Sequence, residues 1–81
     1  MLGLEEANAV TYSLYPNPTS NIINISASEE VTNVKVYNTL GQEIWQGNTN
    51  KIDLSKSESG VYFAVIRLAN DKIISEKIIR N

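Results

Sequence analysis

The sequence predicts an all-β fold, a small antiparallel β-sandwich of about seven strands, on three observations. Apolar residues fall in short runs, separated at regular spacing by Gly, Asn, Asp and Pro signals. No stretch sustains an apolar stripe at helical period; Leu2–Val10 has some helix formers but is too short. Leu54, Gly60 and Tyr62 carry the spacing of a tyrosine corner, in which a Tyr near the start of a strand sends its hydroxyl back to the preceding loop.

Taken in order, residues 1–11 read as a linker remnant and 12–81 as the domain. Tyr12–Tyr15 is a first edge strand, stopped by Pro16. Pro16-Asn17-Pro18 cannot join a central strand, because neither proline has an N–H to donate. It reads as a stiff extended entry into the strand that follows, and as a hinge that would hold the linker away from the sheet. Asn21–Ala27 is a second strand, with Ile23, Ile25 and Ala27 on one face and Asn24 and Ser26 on the other. Asn33–Asn38 alternates Val34 and Val36 against Lys35 and Tyr37.

Asn38-Thr39-Leu40-Gly41 is a tight turn, with Gly41 free to take positive φ. Gln42–Gln46 returns as a partner strand centred on Ile44, which puts Trp45 on the opposite face. After Gly47-Asn48-Thr49-Asn50 turns the chain, Lys51–Leu54 is a short strand with Ile52 and Leu54 in register. Ser55–Gly60 is a polar loop. Val61–Leu68, the longest apolar run, is the best central strand, and Lys72–Arg80 is the last. The pattern is that of an immunoglobulin-like or fibronectin-like sandwich.

Composition excludes several function classes. The chain has 81 residues, enough for one small core but not a large buried cleft. It lacks cysteine and histidine, so it has no disulfide framework, no thiol nucleophile, and neither the commonest general base nor the commonest metal ligand. Packing alone stabilises the fold, by a few to about 10 kcal/mol. The net charge of −2, with the signs interspersed, has none of the basic footprint of a nucleic-acid binder. No apolar run approaches the roughly 20 residues of a transmembrane helix. The acidic start Met1–Glu6 is unlike a signal peptide, and the chain reads as a fragment with Met1 an introduced start.

Candidate chemistry is sparse. There are nine carboxylates, and Asp53 and Glu58 flank one polar loop, but surface charge and loop capping explain them more simply than a catalytic pair. The Asp53-Leu54-Ser55 stretch reads as a side-chain-to-backbone turn. Neither a calcium loop nor a Ser–His arrangement is present, so no enzyme activity, metal or cofactor is expected. Trp45, Tyr37, Tyr12 and Tyr15 are candidates for an aromatic platform of a sugar-binding module; the simpler reading packs them together or into the core. In the last strand, Lys72, Lys77 and Arg80 sit among Ile73, Ile74, Ile78 and Ile79. Such a strand is either a lysine-guarded edge or a recognition element read by a partner.

Three stretches together resemble a known family: "LYPNPTSNIINIS" (Leu14–Ser26), "VTNVKVYNTLGQEIWQG" (Val31–Gly47), and "IDLSKSESGVYFAVI" (Ile52–Ile66) leading into "KIISEKIIR" (Lys72–Arg80). They are similar to the type A C-terminal sorting domain of the type IX secretion system of Bacteroidetes. The resemblance implies a secretion signal at the end of a larger cargo protein. Such a cargo enters the periplasm by its own signal peptide and is recognised by the outer-membrane translocon through the folded domain. A sortase-like surface peptidase removes the domain, here by a cut in or before Gly3–Val10, and the cargo reaches the cell surface or medium, anchored to lipopolysaccharide or released.

Carried over, the family's structural motifs match Pro16, Pro18, Gly41, Gly60 and Tyr62. Its basic C-terminal motif matches Lys77 and Arg80, with Lys72 nearby; lysine is frequent in the family where Arg80 stands, so charge is kept. Lys72, Lys77, Ile78, Ile79 and Arg80 are therefore the candidate recognition residues, and weak self-association through this edge is a further expectation. The rival readings are an Ig-like spacer or adhesion module and a carbohydrate-binding module.

Overall fold

The computed structural model describes residues 10–81. The linker and cleavage region expected upstream lie outside the described residues, apart from Val10 and Thr11. Val10 packs against the core, and the Thr11 carbonyl accepts from the Ser28 amide at 2.9 Å.

Among the described residues seven strands form: β1 Tyr12–Tyr15, β2 Ile22–Ala27, β3 Val31–Tyr37, β4 Glu43–Gly47, β5 Lys51–Asp53, β6 Gly60–Leu68 and β7 Ile73–Arg80. They pair antiparallel in two sheets, one of order β1-β2-β5 and one of order β4-β3-β6-β7. The chain is thus an all-β sandwich, with each strand close to where the apolar alternation places it.

The core lies between the sheets. Ile23, Ile25, Ile52 and Leu54 meet Val34, Val36, Tyr62, Ala64, Ile66, Leu68, Ile74 and Ile78, all buried. Period-two alternation is clearest in β6, where Tyr62, Ala64, Ile66 and Leu68 point inward. These residues form strands because their β-branched and aromatic side chains fit a pleated, buried surface.

β4 departs from the expected alternation. Trp45, not Ile44, faces the core side: it pairs with Val36 and packs against the core, while Ile44 is 36% exposed. The cause is a β-bulge. Trp45 stands opposite Val36 but Glu43 stands opposite Tyr37, so Ile44 is an extra residue and strict alternation fails there. The indole folds over Gly47, where an added Cβ would come within 2.5 Å of the ring; only glycine leaves it that room. Trp45 and Tyr37 consequently lie on opposite faces of the sheet and build no shared platform.

Two loops are held by their own polar groups. Asn38 Oδ1 accepts from the amides of Leu40 at 2.9 Å and Gln42 at 3.0 Å, and Gly41 takes φ +85°, a conformation costly for residues with a Cβ. Ahead of β6, the Tyr62 hydroxyl donates to the Glu58 carbonyl at 2.6 Å, across the Gly60 turn at φ +152°. That is tyrosine-corner geometry, with a buried ring and a satisfied hydroxyl. Tyr62→Phe is expected to keep the fold and lower its stability by about 1 kcal/mol, the net worth of one hydrogen bond. Urea melts of the two proteins read this as a shift in midpoint at unchanged slope.

Candidate recognition site

Among the described residues, no group of three or more His, Cys, Asp or Glu assembles to hold a metal. The Asp53 carboxylate is used locally: Oδ1 accepts from the Ser55 amide at 2.9 Å. Hydrogen bonding from Ser55, first its side chain and then its backbone, holds the Asp53 carboxyl below its ordinary value. Glu58 lends its carbonyl to Tyr62. Both residues of the carboxylate pair considered from sequence thus take part in building the 53–60 loop.

β7 is the edge of the four-stranded sheet, as its lysines suggest, and its alternation divides the candidate recognition residues. Lys77 is exposed and Ile79 half-buried on the outer face. Ile78 points inward and is 0% exposed, a core residue that no partner touches in the folded domain. Arg80 also turns in: its Nε donates to the Leu54 carbonyl at 2.8 Å, a bond from β7 to the residue that follows β5 in the opposite sheet. Lys72 is exposed in the turn before β7, five residues from Lys77 and hence about 17 Å away along the strand. The structure therefore does not gather the candidates into one cluster. It brings Lys77 and Ile79 to one surface and builds Ile78 and Arg80 into the fold.

The edge itself is covered by the segment that opens the family pattern. Residues 16–19 run along β7. Asn17 Nδ2 donates to the Lys77 carbonyl at 3.1 Å, and Asn17 Oδ1 accepts from the Ile79 amide at 3.0 Å. The Thr19 amide donates to the Ile79 carbonyl at 2.9 Å, and the Asn81 amide donates to the Thr19 carbonyl at 2.8 Å. A side-chain amide carries one donor and one acceptor side, so Asn17 acts here as a peptide group would in an added strand. Pro16 and Pro18 beside it have no N–H that would need a partner. Thr19 is 2% exposed, and its hydroxyl is satisfied by donating to the Ile22 carbonyl and accepting from the Asn21 amide.

This placement corrects the hinge reading of Pro16-Asn17-Pro18. β1 precedes the prolines and pairs with β2 from Tyr12↔Ala27 to Tyr15↔Asn24, so the prolines lie within the domain, not between it and a linker. It also takes up the Lys77–Asn81 half of the edge through which self-association was expected. At the other half, the Tyr12 hydroxyl donates to Glu76 Oε2 at 2.9 Å, a bond that raises the phenol's pKa above its ordinary value. Sequence reasoning missed Asn17 and Thr19. The available signal was an amide side chain between two residues that cannot donate.

The described residues thus form a compact β-sandwich module whose C-terminal strand is fastened on its inner side by the core and along its edge by residues 17 and 19. Residues 13–81 match the family model described as secretion system C-terminal sorting domain, and the chain belongs to that family. Comparison with curated proteins gives no match. The domain is accordingly a C-terminal sorting signal of type IX secretion, which directs export to the cell surface or extracellular space. Its family is one of sorting signals, not of enzymes.

Asn17→Ala removes both side-chain bonds to β7 and leaves their partners to water. A loss of about 1–2 kcal/mol is expected, with the amide of Ile79 becoming the fastest-exchanging site in the strand. Urea melts and amide exchange measure the two effects.

Proposed function

We propose that the type IX outer-membrane translocon reads this domain in its folded form. The fused N-terminal cargo crosses the periplasm with it, and a sortase-like peptidase then cuts upstream of the sandwich. The observation that carries this reading is the state of the last strand. Ile78 is fully buried, and residues 77, 79 and 81 are hydrogen-bonded to residues 17 and 19. Presenting this strand as a free peptide requires breaking the core together with the strap that residues 16–19 form along β7. What a partner meets is the outer side of the strand, Lys77 and Ile79, with Lys72 at its start.

The cut belongs ahead of Val10, because Val10 packs on the core and Thr11 exchanges hydrogen bonds with Ser28. Proteases need several residues of extended, accessible chain. Deleting Lys77–Asn81 would not isolate a recognition element, since it removes Ile78, Arg80 and every bond to the strap.

The experiment fuses a signal-peptide-bearing fluorescent reporter to the whole chain, or to residues 72–81 alone, in a bacterium with a working type IX system. The expected result is export of the whole-chain fusion, with a freed domain starting at or before Val10, and periplasmic retention of the short fusion. Equal export of both would contradict folded-state recognition. Retention of both would contradict the sorting role of this chain.

A further inference from the structure

The two outer faces of the sandwich differ. The three-stranded sheet presents Ser13, Asn24, Ser26, Lys51 and Asp53, a mostly polar face as expected of an antiparallel sheet with water on one side, with Tyr15 and Ile22 its exposed large apolar side chains. The four-stranded sheet does not follow that rule. Opposite its buried residues, β6 presents Val61, Phe63 and Val65, so this strand is apolar on both faces. Its neighbours add Tyr37 from β3 and Ile73 and Ile79 from β7.

Register sets Tyr37, Phe63, Val61 and Ile79 side by side, with Ile73 at the far end of the face beside Arg67. Tyr37 stands opposite Phe63, Phe63 opposite Lys77, Val61 opposite Ile79, and Arg67 opposite Ile73. Ile73 is 57% exposed, Phe63 39% and Val61 37%. Strands apolar on both sides belong to sheets covered on both sides. Contiguous apolar surface with a polar rim marks an interaction site.

Charge says what covers it. Lys35, Arg67 and Lys77 point out of this face, and Glu43, 3.9 Å from Lys35, is its one carboxylate among the described residues. The face is therefore cationic on a chain whose net charge is −2. A second copy packed face to face would set these cations against each other, because a two-fold contact uses the same patch twice. A protein surface with an apolar centre and carboxylates at its rim fits both features.

We propose that the outer face of the β4-β3-β6-β7 sheet, centred on Phe63 and bounded by Lys35, Arg67 and Lys77, is the docking face of this domain, and that its partner is an acidic-rimmed apolar protein surface of the export machinery. The proposal rests on the folded-recognition reading above and extends it from the last strand to a whole sheet face. The outer face of the β1-β2-β5 sheet stays in solvent.

The test is export of the whole-chain reporter fusion, with melting temperature measured on each purified domain. Two face variants, Arg67→Glu with Lys77→Glu and Phe63→Ser with Ile73→Ser, are compared with two matched controls on the opposite face, Lys51→Glu and Tyr15→Ser. The face variants are expected to melt within a few degrees of the parent and to export about tenfold less or lower, while the controls export as the parent does. Arg67→Lys with Lys77→Arg keeps the charge and is expected to keep export.

Parent-like export of the charge-reversed variant overturns the docking face and leaves the sorting reading standing. So does an equal loss in the controls. A concentration-dependent dimer in sedimentation that Lys77→Glu dissolves overturns the assigned partner in favour of a second copy. Retention of the parent fusion itself overturns the sorting reading and the face with it.

Discussion

The hydrogen bonds between residues 17–19 and β7 are the constraint on which the rest of this structure depends. A sandwich of two small sheets ends on a strand at the sheet edge, where unpaired backbone groups invite fraying and misdirected pairing. Asn17 and Thr19 supply partners for the backbone of residues 77, 79 and 81. With the edge held, Ile78 stays in the core and Arg80 reaches the Leu54 carbonyl in the opposite sheet. The start and the end of the domain thus stabilise each other. Neither is expected to keep its conformation without the other.

This arrangement separates two roles that the sequence of the last strand runs together. Ile78 and Arg80 act inward and support the fold, whereas Lys77 and Ile79 act outward on a surface shared with β6 and β3. A partner that reads the outward residues reads a folded domain by default. Such reading also serves as a check on folding, since a chain that loses the core loses the geometry of Lys77 against Phe63.

Much of the fold was legible because small sandwiches announce themselves by alternation. Ile23 and Ile25, Val34 and Val36, and Ile52 and Leu54 all point inward as their period-two spacing requires. The tyrosine corner could be read from Leu54, Gly60 and Tyr62 because it is local. β4 could not be read so simply: one bulged residue shifts the pattern, and Trp45 takes the core side that Ile44 seemed to hold. Asn17 was opaque for a different reason. Its partners lie 60 and 62 residues away, so only the fold reveals that a polar side chain in a turn completes a strand. The division among the last-strand residues was implicit in their alternation, but the choice of inner face depends on pairing with Tyr62 and Phe63.

Native-state amide hydrogen exchange tests the central claim most directly, that the C-terminal strand is locked into the fold and not a loosely held tail. The amides of residues 77–81 are compared with those of Ile66 and Leu68 in the central strand β6 as denaturant is raised at low concentration. The Ile79 and Asn81 amides, which the strap holds, are expected to exchange through openings whose free energy approaches that of global unfolding and shares its denaturant dependence. Exchange of these amides through small, denaturant-independent fluctuations, as at a frayed terminus, would contradict it.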